Sequence, residues 1–233
     1  MSNEALLILN LIVVYGSVIL WYYFLRDKGL FCWTVLATVA ANIEVMILID
    51  AFGMQQTLGN ILFASTFLVT DILSELYGKK HANTAVNIGI LTSLGFIVIS
   101  QFWLHFTPAA EDIVFPHIVS VFSNTPRVMI MGLLVYAVVQ KIDVWLYHYW
   151  WSYTSKKFGS SSKYLWIRNN GSTMISQLLN TILFTLGAFY GVYSADVLVD
   201  IIIFSYVIFF TTSLLDTPFV YLARYLHHKR RTL

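Results

Sequence analysis

The chain reads as an all-α integral membrane protein, a polytopic bundle of seven transmembrane helices. Three observations predict this. Of its 233 residues 58% are hydrophobic and only 11% charged, against about 25% charged in ordinary soluble domains. Seven apolar stretches each approach the roughly 20 residues that a span requires. Twelve of the fourteen Lys and Arg residues follow alternate stretches, the bias that orients helices in a bilayer.

The stretches run over residues 4–25, 30–52, 58–77, 82–106, 127–151, 171–192 and 197–225. The first, opened by MSNEALLILN, has an acidic residue and no basic n-region, so a retained helix is expected rather than a cleaved signal. Arg26 and Lys28 follow it, Lys79 and Lys80 follow the third, and Lys156, Lys157, Lys163 and Arg168 follow the fifth. Arg224, Lys229, Arg230 and Arg231 close the seventh. That side is expected to be the cytoplasm, with the N-terminus outside and the C-terminus inside. The alternation favours seven spans; six would require the weaker first span to be peripheral or one stretch to be re-entrant. Short connections predict one transmembrane domain over residues 1–233. The segment 108–124 is too short and polar to span and reads as an interfacial helix or lid interrupted at Pro116.

The chain is organised around its third span and the basic run that closes it, LGNILFASTFLVTDILSELYGKK (58–80). Asp71 and Glu75 are four residues apart and share a helical face. At 1.5 Å per residue Asp71 lies about 12 Å inward from Lys79, a depth at which a carboxylate costs on the order of 3 kcal/mol unless paired or hydrated. Glu75, nearer the edge, either belongs to a binding site or forms an i, i+4 ion pair with Lys79. In the second span Glu44 is expected near the middle, facing Lys141, while Asp50 sits near the outer end. In the fifth span Lys141 falls about 21 Å inward from Arg127 and calls for a carboxylate or a wet cavity; Arg127 itself is expected to snorkel at the outer mouth. Gln140 with Asp143, and Gln177 with Asn180 and Ser176 in the sixth span, repeat an i, i+3 spacing at similar depths on antiparallel helices. Two polar half-sites so placed form a midplane site, unless the amides merely join helices. Asp216 precedes Pro218 in the last span and reads as a gate or a structural cap.

Other chemistry lacks its signature. There is no G-x-x-x-x-G-K-[ST], H-E-x-x-H or G-x-S-x-G. The one cysteine, Cys32, allows no internal disulfide and no thiolate cluster. The six histidines show no ligand spacing, so no metal or other cofactor is expected. A net charge of +2 does not suggest nucleic acid. An intramembrane enzyme using Asp71 and Glu75 as acid and base would need a nucleophile or metal set that is not visible. A purely structural protein would not need so many buried charges.

The stretch FASTFLVTDILSELYGKK (63–80), together with Arg127, Gln140-x-x-Asp143 and SQLLNT (176–181), resembles the queuosine precursor transporter family, which is grouped with vitamin uptake transporters. The likeness covers roughly residues 36–225. It departs at Asn180, where the family commonly has aspartate, and at Ala64, where many members are expected to have proline. The resemblance implies uptake of a 7-deazaguanine such as preQ0, preQ1 or queuine. The residues agree with it. A guanine-like edge presents an N–H and an NH2 group that one carboxylate (Asp71, Glu44 or Asp143) accepts together, and an amide (Gln140, Gln177 or Asn180) meets both donors and acceptors. Phe67, Tyr136, Trp145 and Phe184 are candidates to stack on the base. With no ATPase motif, secondary transport with alternating access is expected. The alternative is a substrate-binding subunit that borrows an ATPase. Small carriers often pair, so a homodimer stays open, but no GxxxG-type face marks one.

Overall fold

The computed structural model describes residues 1–123, 126–159 and 163–229; Asn124, Arg230 and Arg231 lie outside them. Among the described residues the chain forms eight helices and one β-hairpin: α1 (Asn3–Leu25), α2 (Asp27–Glu44), β1 (Leu48–Ala51), β2 (Met54–Thr57), α3 (Asn60–Tyr77), α4 (Lys79–Trp103), α5 (Phe115–Phe122), α6 (Pro126–Phe158), α7 (Leu165–Phe189) and α8 (Ala195–Lys229). Five of these (α1, α4, α6, α7 and α8) are long and apolar enough to cross a membrane. The protein is therefore a multi-pass helical membrane protein. The other two long helices, α2 and α3, have 18 residues each and fall outside that set.

Burial explains why α3 is less lipophilic than its neighbours. It packs against α1, α2, α4, α6 and α8, and every residue from Ala64 to Ser74 is buried. A helix covered all round by protein needs no lipid-facing stripe and can carry hydroxyls and carboxylates, provided that other helices answer them. Trp33 of α2, for example, donates its indole N–H to Ser65 Oγ at 3.0 Å.

The second predicted span is corrected. α2 does not continue to residue 52 but ends at Glu44, and residues 48–57 form a hairpin in the register Leu48↔Thr57 to Ala51↔Met54. The turn is made by Phe52 and Gly53, both at positive φ (55° and 73°), the backbone that lets a two-residue turn match strand twist. The chain then returns so closely that a Cβ on Gly59 would stand 2.9 Å from the Val45 amide nitrogen. Glu44 is thus at a helix end, not at mid-span.

The joint between α3 and α4 is one residue long. Gly78 has φ 84° and ψ 173°, a conformation essentially confined to glycine. This is why the run Tyr77-Gly78-Lys79-Lys80 turns the chain so sharply. Pro116 does not interrupt the segment after α4; it lies in the first turn of α5, where proline's missing N–H costs nothing. Asp112 caps that turn, accepting from the amides of Val114 and Phe115, each at 2.7 Å.

Among the described residues the basic side chains other than Arg127 and Lys141 gather at one end of the bundle: the C-terminal ends of α1, α3, α6 and α8 and the N-terminal ends of α2, α4 and α7. This is called the basic end below.

Candidate functional site

A cavity of about 110 Å³ lies in the half of the bundle away from the basic end, among Val45, Thr57, Asn60, Val128, Phe189 and Ile201 at its rim. Deeper, its wall is made by Phe63 and Thr66 of α3, Tyr136 of α6, Asn180 and Phe184 of α7, and Phe209 of α8. No charged side chain among the described residues lines it. Aromatic faces with scattered amides and hydroxyls suit a flat, polar-edged molecule.

Its floor is a hydrogen-bonded layer. Gln140, fully buried, donates from Nε2 to Thr66 Oγ1 at 2.7 Å, and Thr70 Oγ1 donates to Gln140 Oε1 at 3.3 Å. One helical turn beneath, three carboxyl groups are buried. Asp71 accepts from Thr173 Oγ1 at 3.2 Å, Asp143 from Ser176 Oγ at 2.6 Å, and Asp216 from Asn169 Nδ2 at 2.7 Å. Their partners Asn169, Thr173 and Ser176 follow at four- and three-residue spacing on one face of α7, so the three carboxyls stand on successive turns.

These partners leave capacity over. Among the described residues Asp71 Oδ1, Asp143 Oδ2, Ser74 Oγ, Asn169 Oδ1 and both amide atoms of Gln177 are buried without a hydrogen-bond partner. Each such atom costs about 1–3 kcal/mol, and folded proteins seldom tolerate a group of them. The set contains carboxylate acceptors beside an amide that offers both donor and acceptor. A molecule with adjacent N–H donors and an acceptor would satisfy it.

The structure distributes the sequence-predicted residues unequally. Asp71, Asp143 and Gln177 fall in the cluster, Gln140 in the floor and Asn180 in the cavity wall. Glu75 lies one turn further toward the basic end, and its partner is not Lys79. It is bound by Arg168, through Nε at 2.9 Å and an η-nitrogen at 2.7 Å, by Arg224 at 3.3 Å and by the Tyr147 hydroxyl at 2.9 Å.

Lys141 is the clearest correction: it is exposed on α6 and makes no ion pair among the described residues, so the expected Glu44–Lys141 pairing is absent. Residues two apart on a helix face away from each other; with Asp143 pointing inward, Lys141 points out. Glu44, half-buried, keeps Oε2 unpartnered, away from the carboxyl cluster. Arg127 does more than anchor: it donates to the carbonyls of Gly187 and Tyr190, both at 2.9 Å, capping the end of α7. Asp216 is tied to α7 by Asn169. Of the aromatic candidates, Tyr136 and Phe184 line the cavity, Phe67 is sealed against Val135 and Val139, and Trp145 is 53% exposed.

Sequence reasoning missed Arg168, Thr173 and Tyr147. The sixth span was expected to begin at residue 171, which left Arg168 in a loop. The missed signal was the polar run at Arg168, Ser172, Ser176 and Asn180, which keeps helical spacing beyond that boundary.

A helical membrane protein with an aromatic-walled cavity above unsatisfied buried polar groups has the build of a membrane transport protein. The comparisons agree. The family described as "Putative vitamin uptake transporter" matches residues 57–223. Over 224 residues, 96% of this chain and 96% of the other, the chain is 38% identical to a Bacillus subtilis (strain 168) protein described as "Probable queuosine precursor transporter". No solved structure matches it. The chain belongs to the vitamin uptake transporter family and is a transporter, not an enzyme.

Proposed function

We propose that the protein imports a queuosine precursor, a 7-deazaguanine such as preQ0, preQ1 or queuine, across the bacterial cytoplasmic membrane by secondary transport. The description of the Bacillus subtilis relative supports the cargo class. The observation that carries the reading is the set of unpartnered buried atoms on Asp71, Asp143 and Gln177 beneath an uncharged, aromatic-walled cavity. The base seats between Phe63, Tyr136, Phe184 and Phe209, with Asn180 at its edge. When the Gln140 floor parts, its N–H and NH2 groups reach a carboxylate of Asp71 or Asp143, and Gln177 reads the remaining edge. Stacking in such a cradle is worth about 1–3 kcal/mol per base.

In this reading α2 and α3 complete seven spans in one transmembrane unit, with α3 inside the bundle and the basic end in the cytoplasm. Access alternates between the cavity side and the basic end.

The test is uptake in cells that cannot make 7-deazaguanines, with queuosine in tRNA as the readout and preQ0, preQ1 or queuine supplied singly. Restoration by at least one, competed by its relatives and not by adenine, is expected. Failure of all three, with the protein present in the membrane, would exclude this cargo.

A further inference from the structure

The polar interior does not end at the carboxyl cluster. Arg168, Ser172, Thr173, Ser176, Gln177 and Asn180 are all buried and form a stripe along α7. Asn180 stands at the cavity. Thr173, which holds Asp71, is seven residues or about 10 Å nearer the basic end. Arg168 is five residues further, and there the stripe is shut.

The closure is made of charge. Arg168 is 0% and the Glu75 side chain 4% exposed. Around the Glu75 carboxylate converge Arg168 from α7, Arg224 from α8 and Tyr147 from α6. The guanidinium of Arg168 lies 4.4 Å from the centre of the Trp151 ring and also donates to the Lys163 carbonyl at 3.0 Å. Four helices are joined through one carboxylate, across the end of the polar stripe. An apolar plug would close the same place more firmly. A buried ion pair is different: desolvation offsets much of its attraction, so the closed state is only modestly favoured. Its groups are also readily hydrated when they separate. Arg224 is already 21% exposed, so water reaches one side of the clasp.

We propose that Glu75, clasped by Arg168, Arg224 and Tyr147, is the gate at the basic end of a transport path along α7, and is not a contact to the cargo. In this structure the gate is shut while the cavity occupies the opposite half. Parting of the clasp opens the carboxyl cluster toward the basic loops. This rests on the carrier reading of the site but not on which molecule is carried.

The test reads accessibility and needs no cargo. Full-length protein with Cys32→Ser carries Ser172→Cys as the reporter, one turn inside the clasp. Lys157→Cys, exposed at the end of α6, marks the basic side in a parallel sample. Sealed membrane vesicles of both orientations receive a membrane-impermeant maleimide. With Glu75 intact, the reporter is expected to react slowly from either side. Glu75→Gln is expected to raise its rate from the basic side by about tenfold or more, the effect of losing hydrogen bonds to a charged group, with little change from the other side. Arg224→Gln, which loosens only the half-open side of the clasp, is expected to give a smaller rise. Unchanged rates in both variants would overturn the gate, as would an equal rise from both sides, which marks general loosening. If Glu75→Gln does not fold, Arg224→Gln decides alone. Uptake of 7-deazaguanines by the protein with both Ser172 and Glu75 intact is measured in parallel. Its failure for every base, with one-sided labelling of the Glu75→Gln protein retained, overturns the proposed cargo and leaves the gate standing.

Discussion

Glu75 and Arg168 are 93 residues apart in the chain and are joined by two hydrogen bonds, of 2.9 and 2.7 Å. The pair ties the end of α3 to the start of α7. Arg168→Gln leaves the carboxylate buried with a weaker set of partners, and breaking a buried pair from one side costs on the order of 3 kcal/mol. Arg224→Gln removes a longer contact to a partly exposed group and should cost below about 1 kcal/mol. Thermal unfolding of the purified protein in detergent should show a clear drop for Arg168→Gln and a small one for Arg224→Gln. Equal drops would mean that the two arginines share the carboxylate evenly.

Asp71→Asn and Asp143→Asn each exchange a carboxylate for a near-isosteric amide that presents a donor where the proposed base also presents one. Apparent affinity for a 7-deazaguanine should fall about 10- to 100-fold, the equivalent of ~1.5–3 kcal/mol. Membrane insertion and unfolding temperature should change little, because Thr173 and Ser176 still have an oxygen to bond. Competition uptake measures the first and thermal unfolding the second. Full uptake in both variants would remove the carboxyl cluster from the binding site.

Gly89 of α4 makes room for Tyr136 in the cavity wall, since a Cβ there would collide with the tyrosine hydroxyl. Gly89→Ala should push that ring and reduce uptake. Gly95→Ala on the same helix meets nothing within 4 Å and serves as the control. Uptake by the two variants at matched membrane abundance checks this, and equal activity would show that the position of Tyr136 is unimportant.

Lys141→Gln should alter neither uptake nor stability, staying within about 0.5 kcal/mol in the unfolding measurement, as surface substitutions do. A large loss would show that the lysine turns inward in another state of the carrier.

The sequence by itself determined that this is a membrane-embedded helical protein, and which of its helices carry the unusual polar groups. Those conclusions follow from local quantities: apolar run length, the spacing of 71 and 75 or of 140 and 143 on one helix, and the alternation of basic loops. Lys141 is different: its depth pointed to an inward, paired lysine, and the structure turns it outward, as its offset of two residues from the inward Asp143 requires. The tertiary structure alone decided the rest. It ended α2 at Glu44, where a close return of the chain at Gly59 favoured a hairpin over further helix. It gave Glu75 to Arg168 and Arg224 rather than to Lys79. It also placed Gln140 as a floor between Asn180 and the carboxyls. The physical reason is that helical periodicity fixes which residues share a face, but not how that face is rotated and set in depth against another helix. Those are set by packing around α3, and pairs such as Glu75–Arg168 and Asp71–Thr173 exist only once that packing is complete.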